Sequence, residues 1–188
     1  MASRKNKLNK VRPNQGIELS LYSNGIYPVC GIDEAGRGAL AGPLVAAAVI
    51  LPRRCRIPLN DSKKLSPEER EVIALRLKEE AVDIGLGIVE SEEIDRYGLS
   101  WANKEAFKRA VRDLTVEIKG MVTDALHIDM DIFQINLING DEICSSVSAA
   151  SIIAKVTRDH IMEYYDKIFP QYNFSRNKGY PTPDHKER

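Results

Sequence analysis

The sequence predicts an α/β protein in which one mixed sheet of five strands is flanked by helices. Three observations predict it: two apolar runs of strand length open the ordered part of the chain, helical and extended patterns alternate after them, and no repeat or linker divides the 188 residues. A chain of this length can bury a core unaided, and 43% hydrophobic with 29% charged residues is the composition of a soluble globular protein.

Residues 1–26 are polar and weakly periodic. They are expected to form an arm, basic at Arg4, Lys5, Lys7, Lys10 and Arg12, followed by a short packing segment around Leu19, Leu21 and Tyr22. Residues 27–188 then make the main domain. Its first strand is expected over 27–33 and its second over 43–51, where Val45, Val49 and Ile50 among alanines suit burial on both faces. A basic loop follows with Arg53, Arg54, Arg56 and the run Asn60-Asp61-Ser62-Lys63-Lys64. Ser66-Pro67-Glu68-Glu69 starts a helix for a stated reason: Ser66 can cap, Pro67 suits the first turn, and Glu69 can reach back to close a capping box. Ile73, Leu77 and Ala81 give that helix its buried stripe.

A third strand is expected over 84–89, with Gly85 and Gly87 leaving room for another backbone. Ser91 opens a helical turn, and a helix from about 100 to 114 presents Phe107, Ala110, Val111 and Leu114. Over 125–131, Leu126, Ile128 and Met130 alternate with His127, Asp129 and Asp131, the period of a strand with one polar face. A short strand over 135–138 and a long helix from 148 to about 169, led by Ala149, Ile152, Ile153 and Val156, complete the layers. The tail from Tyr172 is expected to add no further helix.

Charge and cysteine content exclude several classes. The formal net charge is +0, so no global field announces a polyanionic partner. Cys30, Cys55 and Cys144 are odd in number and lack metal-type spacing, which argues against a disulfide framework or a zinc site and for a reducing compartment. No apolar segment approaches the roughly twenty residues of a bilayer span, and no signal-peptide core is present. The expected location is cytoplasmic.

The chemistry concentrates in Gly31-Ile32-Asp33-Glu34-Ala35-Gly36-Arg37-Gly38. Adjacent carboxylates at the end of an apolar run repel each other and resist desolvation unless something positive neutralises them. Neighbours on a regular strand point to opposite faces, so Asp33 and Glu34 are expected to share a site through a strand break at Ala35-Gly36. Two further acids stand out. Asp129 or Asp131 offers a carboxylate from the fourth strand, and spacing does not choose between them. Asp159 lies over Ser148, Ile152 and Lys155 on the long helix. His127 shares the strand's polar face, where a lone histidine is more often a surface residue than a ligand. An all-oxygen cluster of this kind favours magnesium or manganese and suits phosphoryl transfer with paired ions. A dinucleotide-binding turn fits poorly, because the third glycine arrives late for G-x-G-x-x-G and two acids precede it.

Five blocks together resemble the ribonuclease HII family: GIDEAGRGALAGPLVAAAVIL, DSKKLSPEERE, the segment bearing Asp129, SAASIIAKVTRDHIM and NKGYPTPDH. The resemblance implies a ribonuclease H-like fold and hydrolysis of the RNA strand of RNA/DNA hybrids. It also implies cutting 5′ to single ribonucleotides in duplex DNA, by two-metal-ion catalysis with Mg2+ or Mn2+. It assigns Asp33, Glu34, Asp129 and Asp159 as catalytic, metal-binding acids, and so selects Asp129 over Asp131. It implies that Gly36, Arg37 and Gly38 read the 2′-hydroxyl and that Tyr180 packs on the adjoining deoxyribose. Lys63, Lys64, Ser148 and Lys178 are expected phosphate contacts, and the protein is expected to act as a monomer. Two positions depart from the family pattern: Asn139 stands where lysine is frequent, and Met130 where glycine is common after the third acid.

Overall fold

The computed structural model describes residues 12–182; Arg4, Lys5, Lys7 and Lys10, and Pro183 and His185 of the last block, lie outside the described residues. Strands β1 (Val29–Ala35), β2 (Leu44–Ile50), β3 (Asp83–Val89), β4 (Gly120–Asp124) and β5 (Phe133–Leu137) form one sheet in the order β3-β2-β1-β4-β5. β2 pairs antiparallel with β1 and β3, whereas β4 pairs parallel with β1 and β5. The mixed five-stranded sheet is therefore the one the sequence predicts.

Every residue of β2 is buried, because helices cover both faces of the sheet. Alternate residues serve the two layers. Ala46 and Ala48 pack with Ile32 and with Phe107 of α4 (Leu99–Asp113), the helix that follows the short α3 (Ser91–Tyr97), while Ala47 and Val49 pack with Ile73 of α2 (Pro67–Glu80) and Ile152 of α6 (Ser145–Ile168). Close approach needs glycine on both sides. A Cβ at Gly87 would lie 1.9 Å from the Ala106 carbonyl oxygen, and one at Gly31 would lie 2.1 Å from the Ser146 backbone. The capping box of α2 forms as its sequence predicts, with the Ser66 hydroxyl accepting from Glu69 N–H and the Glu69 carboxylate from Ser66 N–H.

Three expectations fail for identifiable reasons. Residues 125–132 are irregular, and the strand lies just before them as β4. The alternation there is real, since Ile128 is buried and Leu126 and Met130 pack on the core. Its ladder is missing: the Gln134 side chain, rather than a strand, accepts from Ile128 N–H and donates to Ile128 C=O. The long helix begins at Ser145, not Ser148, and its cap comes from far away. Glu18 of α1 (Gly16–Ser23), fully buried, accepts from Ser146 N–H at 2.8 Å and sets a carboxylate at the helix's positive end. Residues 16–23 pack on the sheet and the long helix, Leu21 and Tyr22 sharing a buried cluster with Val122 and Val147. The tail adds a four-residue helix, Phe174–Asn177.

Cys30, Cys55 and Cys144 are free thiols, and burial pushes those of Cys30 and Cys144 up to about 12. Asp83 ties β3 to the segment after α4, its Oδ2 accepting from Thr115 N–H, Val116 N–H and the Thr115 hydroxyl. Burial pushes this carboxyl up, but those donors outweigh it, and its pKa lies below the usual value. The folded pKa being the lower one, the stabilisation is present above the unfolded value near 4 and lost as pH falls through the folded one. Asp83→Ala is expected to cost about 1–3 kcal/mol at pH 7. Urea unfolding at pH 7 and pH 3 checks this, and an equal loss at both would count against it.

Candidate active site

The site forms where two parallel strands end side by side. Ile32 pairs with Thr123, so the next residues, Asp33 and Asp124, sit at the same level on β1 and β4. β4 stops there because Ala125 turns to a φ of 51° and gives its N–H to Leu137. β1 instead continues along β2 through Glu34 and Ala35 before Gly36, at φ 106°, bends the chain away. The chain thus leaves the strand at Ala35-Gly36, where the sequence places the break, while Asp33 and Glu34 remain neighbouring residues within it. Asp33 faces Ser151 of α6, Glu34 faces Asn103 of α4, and both reach the opening that the short β4 leaves beside β1.

A cleft of about 260 Å3 lies there, lined by Asp33, Glu34, Gly36, Arg37, Gly38, Ser62, Lys63, Arg70, Asp124, Ser151, Lys155 and Tyr180. Its electrostatics are those of crowded carboxylates. Burial and then the neighbouring charge of Glu34 hold Asp33 well above the usual carboxylate range, against hydrogen bonds from Ser151 and from Glu34 N–H. Burial also raises Glu34; Arg37, 3.9 Å away, opposes this and Asp124 adds to it. Asp124 accepts from Gly140 N–H at 2.8 Å, which brings the helical turn α5 (Gly140–Ile143) to the same wall. Asp141 on that turn is buried and takes Lys63 Nζ at 3.1 Å. Partial burial draws the Lys63 ammonium down, but Asp141, Asp61 and Asp33 outweigh it and raise its pKa. Asp61 holds this loop in place, accepting from Lys63 N–H, while the Ser62 hydroxyl meets that of Ser151 at 2.9 Å.

Of the residues singled out in the sequence, the cleft gathers Asp33, Glu34, Gly36, Arg37, Gly38, Lys63 and Tyr180. It does not gather Asp129, which is exposed in the irregular segment after β4; Asp131 is exposed there too. His127 is exposed, with Gln134 and Asn136 at 3.5 Å. Asp159 lines an adjoining cleft of about 380 Å3 and pairs with Lys155 at 2.7 Å. The reason is axial: Ser151 is the α6 residue level with Asp33, and Asp159 lies two turns on, roughly 12 Å along the helix. The Ser148 side chain is fully buried and donates to the Asn60 carbonyl, so it neither caps α6 nor meets a phosphate. Lys64 is engaged by Glu142 and Asp61, and Lys178 lines the adjoining cleft with its ammonium on Glu163. The residues missed are Asp124, Asp141, Ser62, Arg70, Ser151 and Lys155. The available signal for Asp124 was its place at the end of the apolar run Met121-Val122-Thr123, the same pattern as Ile32-Asp33. Asn139, in the left-handed region at φ 56°, bends the chain into the Asp141 turn, a conformation asparagine tolerates.

Among the described residues no three carboxylates, imidazoles or thiolates stand in a ready-made metal-ligand arrangement. Donor type and charge nevertheless fit a hard divalent cation: Asp33, Glu34 and Asp124 are all oxygen donors, and their mutual repulsion is what such an ion would relieve.

Strand ends lined with acids on a mixed sheet of this order define a ribonuclease H-like nuclease fold. The crystal structure of ribonuclease H2 from Pyrococcus horikoshii OT3 superposes with a TM-score of 0.74 at 30% identity, covering 85% of this chain and 83% of that one. More narrowly, the chain belongs to the ribonuclease HII family, whose model, "Ribonuclease HII", matches residues 30–188. It is 45% identical over 183 residues to ribonuclease HII of Caldanaerobacter subterraneus subsp. tengcongensis, covering 96% of this chain and 76% of that protein. It is 48% identical over 169 residues to ribonuclease HII of Geobacillus thermodenitrificans, covering 89% of this chain and 65% of the relative. The match thus spans about two thirds to three quarters of these relatives' length.

Proposed function

We propose that the chain is an endonuclease that hydrolyses the RNA strand of RNA/DNA hybrids and cuts 5′ to single ribonucleotides embedded in duplex DNA, leaving 3′-hydroxyl and 5′-phosphate ends. The observation that supports this most is the joining, in one cleft, of Asp33, Glu34 and Asp124 with the Gly36-Arg37-Gly38 turn and Tyr180. In this reading Asp33, Glu34 and Asp124 would hold Mg2+ or Mn2+, with Asp141, which pairs with Lys63, as a fourth acid. The metal, when bound, would supply activation of water and charge stabilisation of the leaving oxygen. Asp129 and Asp159 are not part of this set, because they stand outside the cleft.

The chain's own residues do the selecting. Gly38, where a Cβ would meet nothing within 4 Å, keeps the backbone open to a 2′-hydroxyl, the group that separates RNA from DNA, and Gly36 supplies the bend at positive φ. Arg37, with 66% of its side chain exposed, offers charge beside them. Tyr180 presents a ring to the neighbouring sugar, and Lys63 and Lys155 bring positive charge to the phosphates. The adjoining cleft with Lys178 and Arg176 continues the path of the strand. Among the described residues no helix is long and apolar enough to cross a membrane.

The test is a DNA duplex carrying one ribonucleotide. With Mg2+ or Mn2+ the purified chain is expected to make a single cut 5′ to it and none in the all-DNA control. Folded protein that leaves the duplex intact in both metals would overturn the reading.

A further inference from the structure

The structure assigns to Arg158 the positioning of the two segments that flank the cleft, the Gly36–Pro43 turn and the Lys178–Tyr180 segment, as one rigid reader of the nucleotide; what that unit reads rests on the function proposed above.

Arg158 has no exposed surface, and among the described residues its guanidinium forms no ion pair. Its donors go to backbone carbonyls instead: Nε to Pro43 at 2.9 Å, Nη2 to Ala41 at 2.9 Å and Nη1 to Lys178 at 2.8 Å. The first two carbonyls close the turn that begins at Gly36; the third precedes Gly179 and Tyr180. The segments also bond directly, Leu40 N–H and Ala41 N–H both donating to the Gly179 carbonyl at 2.8 and 3.3 Å. The Tyr180 ring sits 5.2 Å from the guanidinium carbon.

Burying a cation against neutral dipoles is costly, and an apolar side chain would fill this space with less desolvation. What the arginine adds is geometry, since its planar fork fixes three acceptors in set directions. The packing leaves no slack around it. A Cβ at Gly36 would lie 2.3 Å from Arg158 Nε, and one at Gly179 would lie 2.2 Å from the Ala41 oxygen, each at positive φ. The turn and Tyr180 therefore move together, and their spacing, which a ribonucleotide followed by a deoxyribonucleotide must match, is set by Arg158 rather than by either segment alone.

Two variants break this link independently: Arg158→Met removes the fork, and Gly179→Ala wedges the segments apart. In wild type, the bonded backbone amides of residues 39–41 and 178–180 are expected to exchange slowly with deuterium; in each folded variant exchange rises in both segments together. The ratio of kcat/KM on an embedded ribonucleotide to kcat/KM on a continuous RNA/DNA hybrid is expected to fall about tenfold in each. The double variant is expected to fall no further than one single, and Arg158→Lys, which keeps charge but not the fork, to behave like Arg158→Met. A role only in stability would lower both activities alike and leave the ratio unchanged. Unchanged exchange, or an unchanged ratio, in folded Gly179→Ala or Arg158→Met overturns the assignment. A wild type that ignores the embedded ribonucleotide counts against the proposed function alone, because the exchange result stands without substrate.

Discussion

Asp124→Asn is expected to reduce metal-dependent cleavage by about 1,000-fold or more, while Asp129→Asn stays within about twofold of wild type. The first loses a carboxylate at the strand end beside Asp33 and Glu34; the second alters an exposed side chain outside the cleft. Asparagine is the substitution to use because its oxygen still accepts from Gly140 N–H, so the α5 turn stays in place. Single-turnover cleavage of a hybrid at saturating Mg2+ or Mn2+, with melting curves for both variants, checks the pair. Full activity in Asp124→Asn would remove that residue from the proposed ligand set, and inactivity in folded Asp129→Asn would restore the assignment made from the family pattern.

Asp33→Asn is expected to abolish cleavage by a similar factor and yet to stabilise the metal-free protein. Burial and the Glu34 charge raise the Asp33 pKa in the fold. Because the folded value lies above the unfolded one, the native state binds the extra proton, and stability declines as pH rises from the unfolded value through the folded one. The amide carries no charge to bury and can still accept from Glu34 N–H and take the Ser151 hydroxyl. At pH 8 without metal, Asp33→Asn is expected to melt higher by a few degrees, at roughly 2–4 °C per kcal/mol for a chain of this size. The difference shrinks toward pH 4. Adding Mg2+ or Mn2+ raises the wild-type Tm by linkage and the variant's far less. A lower Tm for Asp33→Asn at pH 8 in chelator would contradict the charge cluster described for this cleft.

The local features of this site were legible in the sequence because they are local. Asp33, Glu34 and the Gly36-Arg37-Gly38 turn are contiguous, so one strand end carries all of them into the cleft. The Ser66 to Glu69 box spans one helical turn, and Gly85 and Gly87 announce a close approach that α4 makes. The third acid was not legible from periodicity. β4 is five residues long and buried on both faces, so it has no alternation, whereas the segment after it mimics a strand by packing every second side chain on the core. Asp141 was hidden differently: it enters through the bond from Gly140 N–H to Asp124, a contact that exists only once the strand end is in place.

The sequence by itself determined the layers, the mixed sheet, the paired acids and their glycine turn, since each follows from spacing within a few residues. Tertiary structure alone decided which distant groups complete the site. Glu18 caps a helix 128 positions away, Ser151 rather than Asp159 stands level with Asp33, and Arg158 reaches carbonyls 115 and 20 positions from its own. Spacing along one chain carries no record of such meetings, because they depend on where two strands end and how far along its axis a helix is docked.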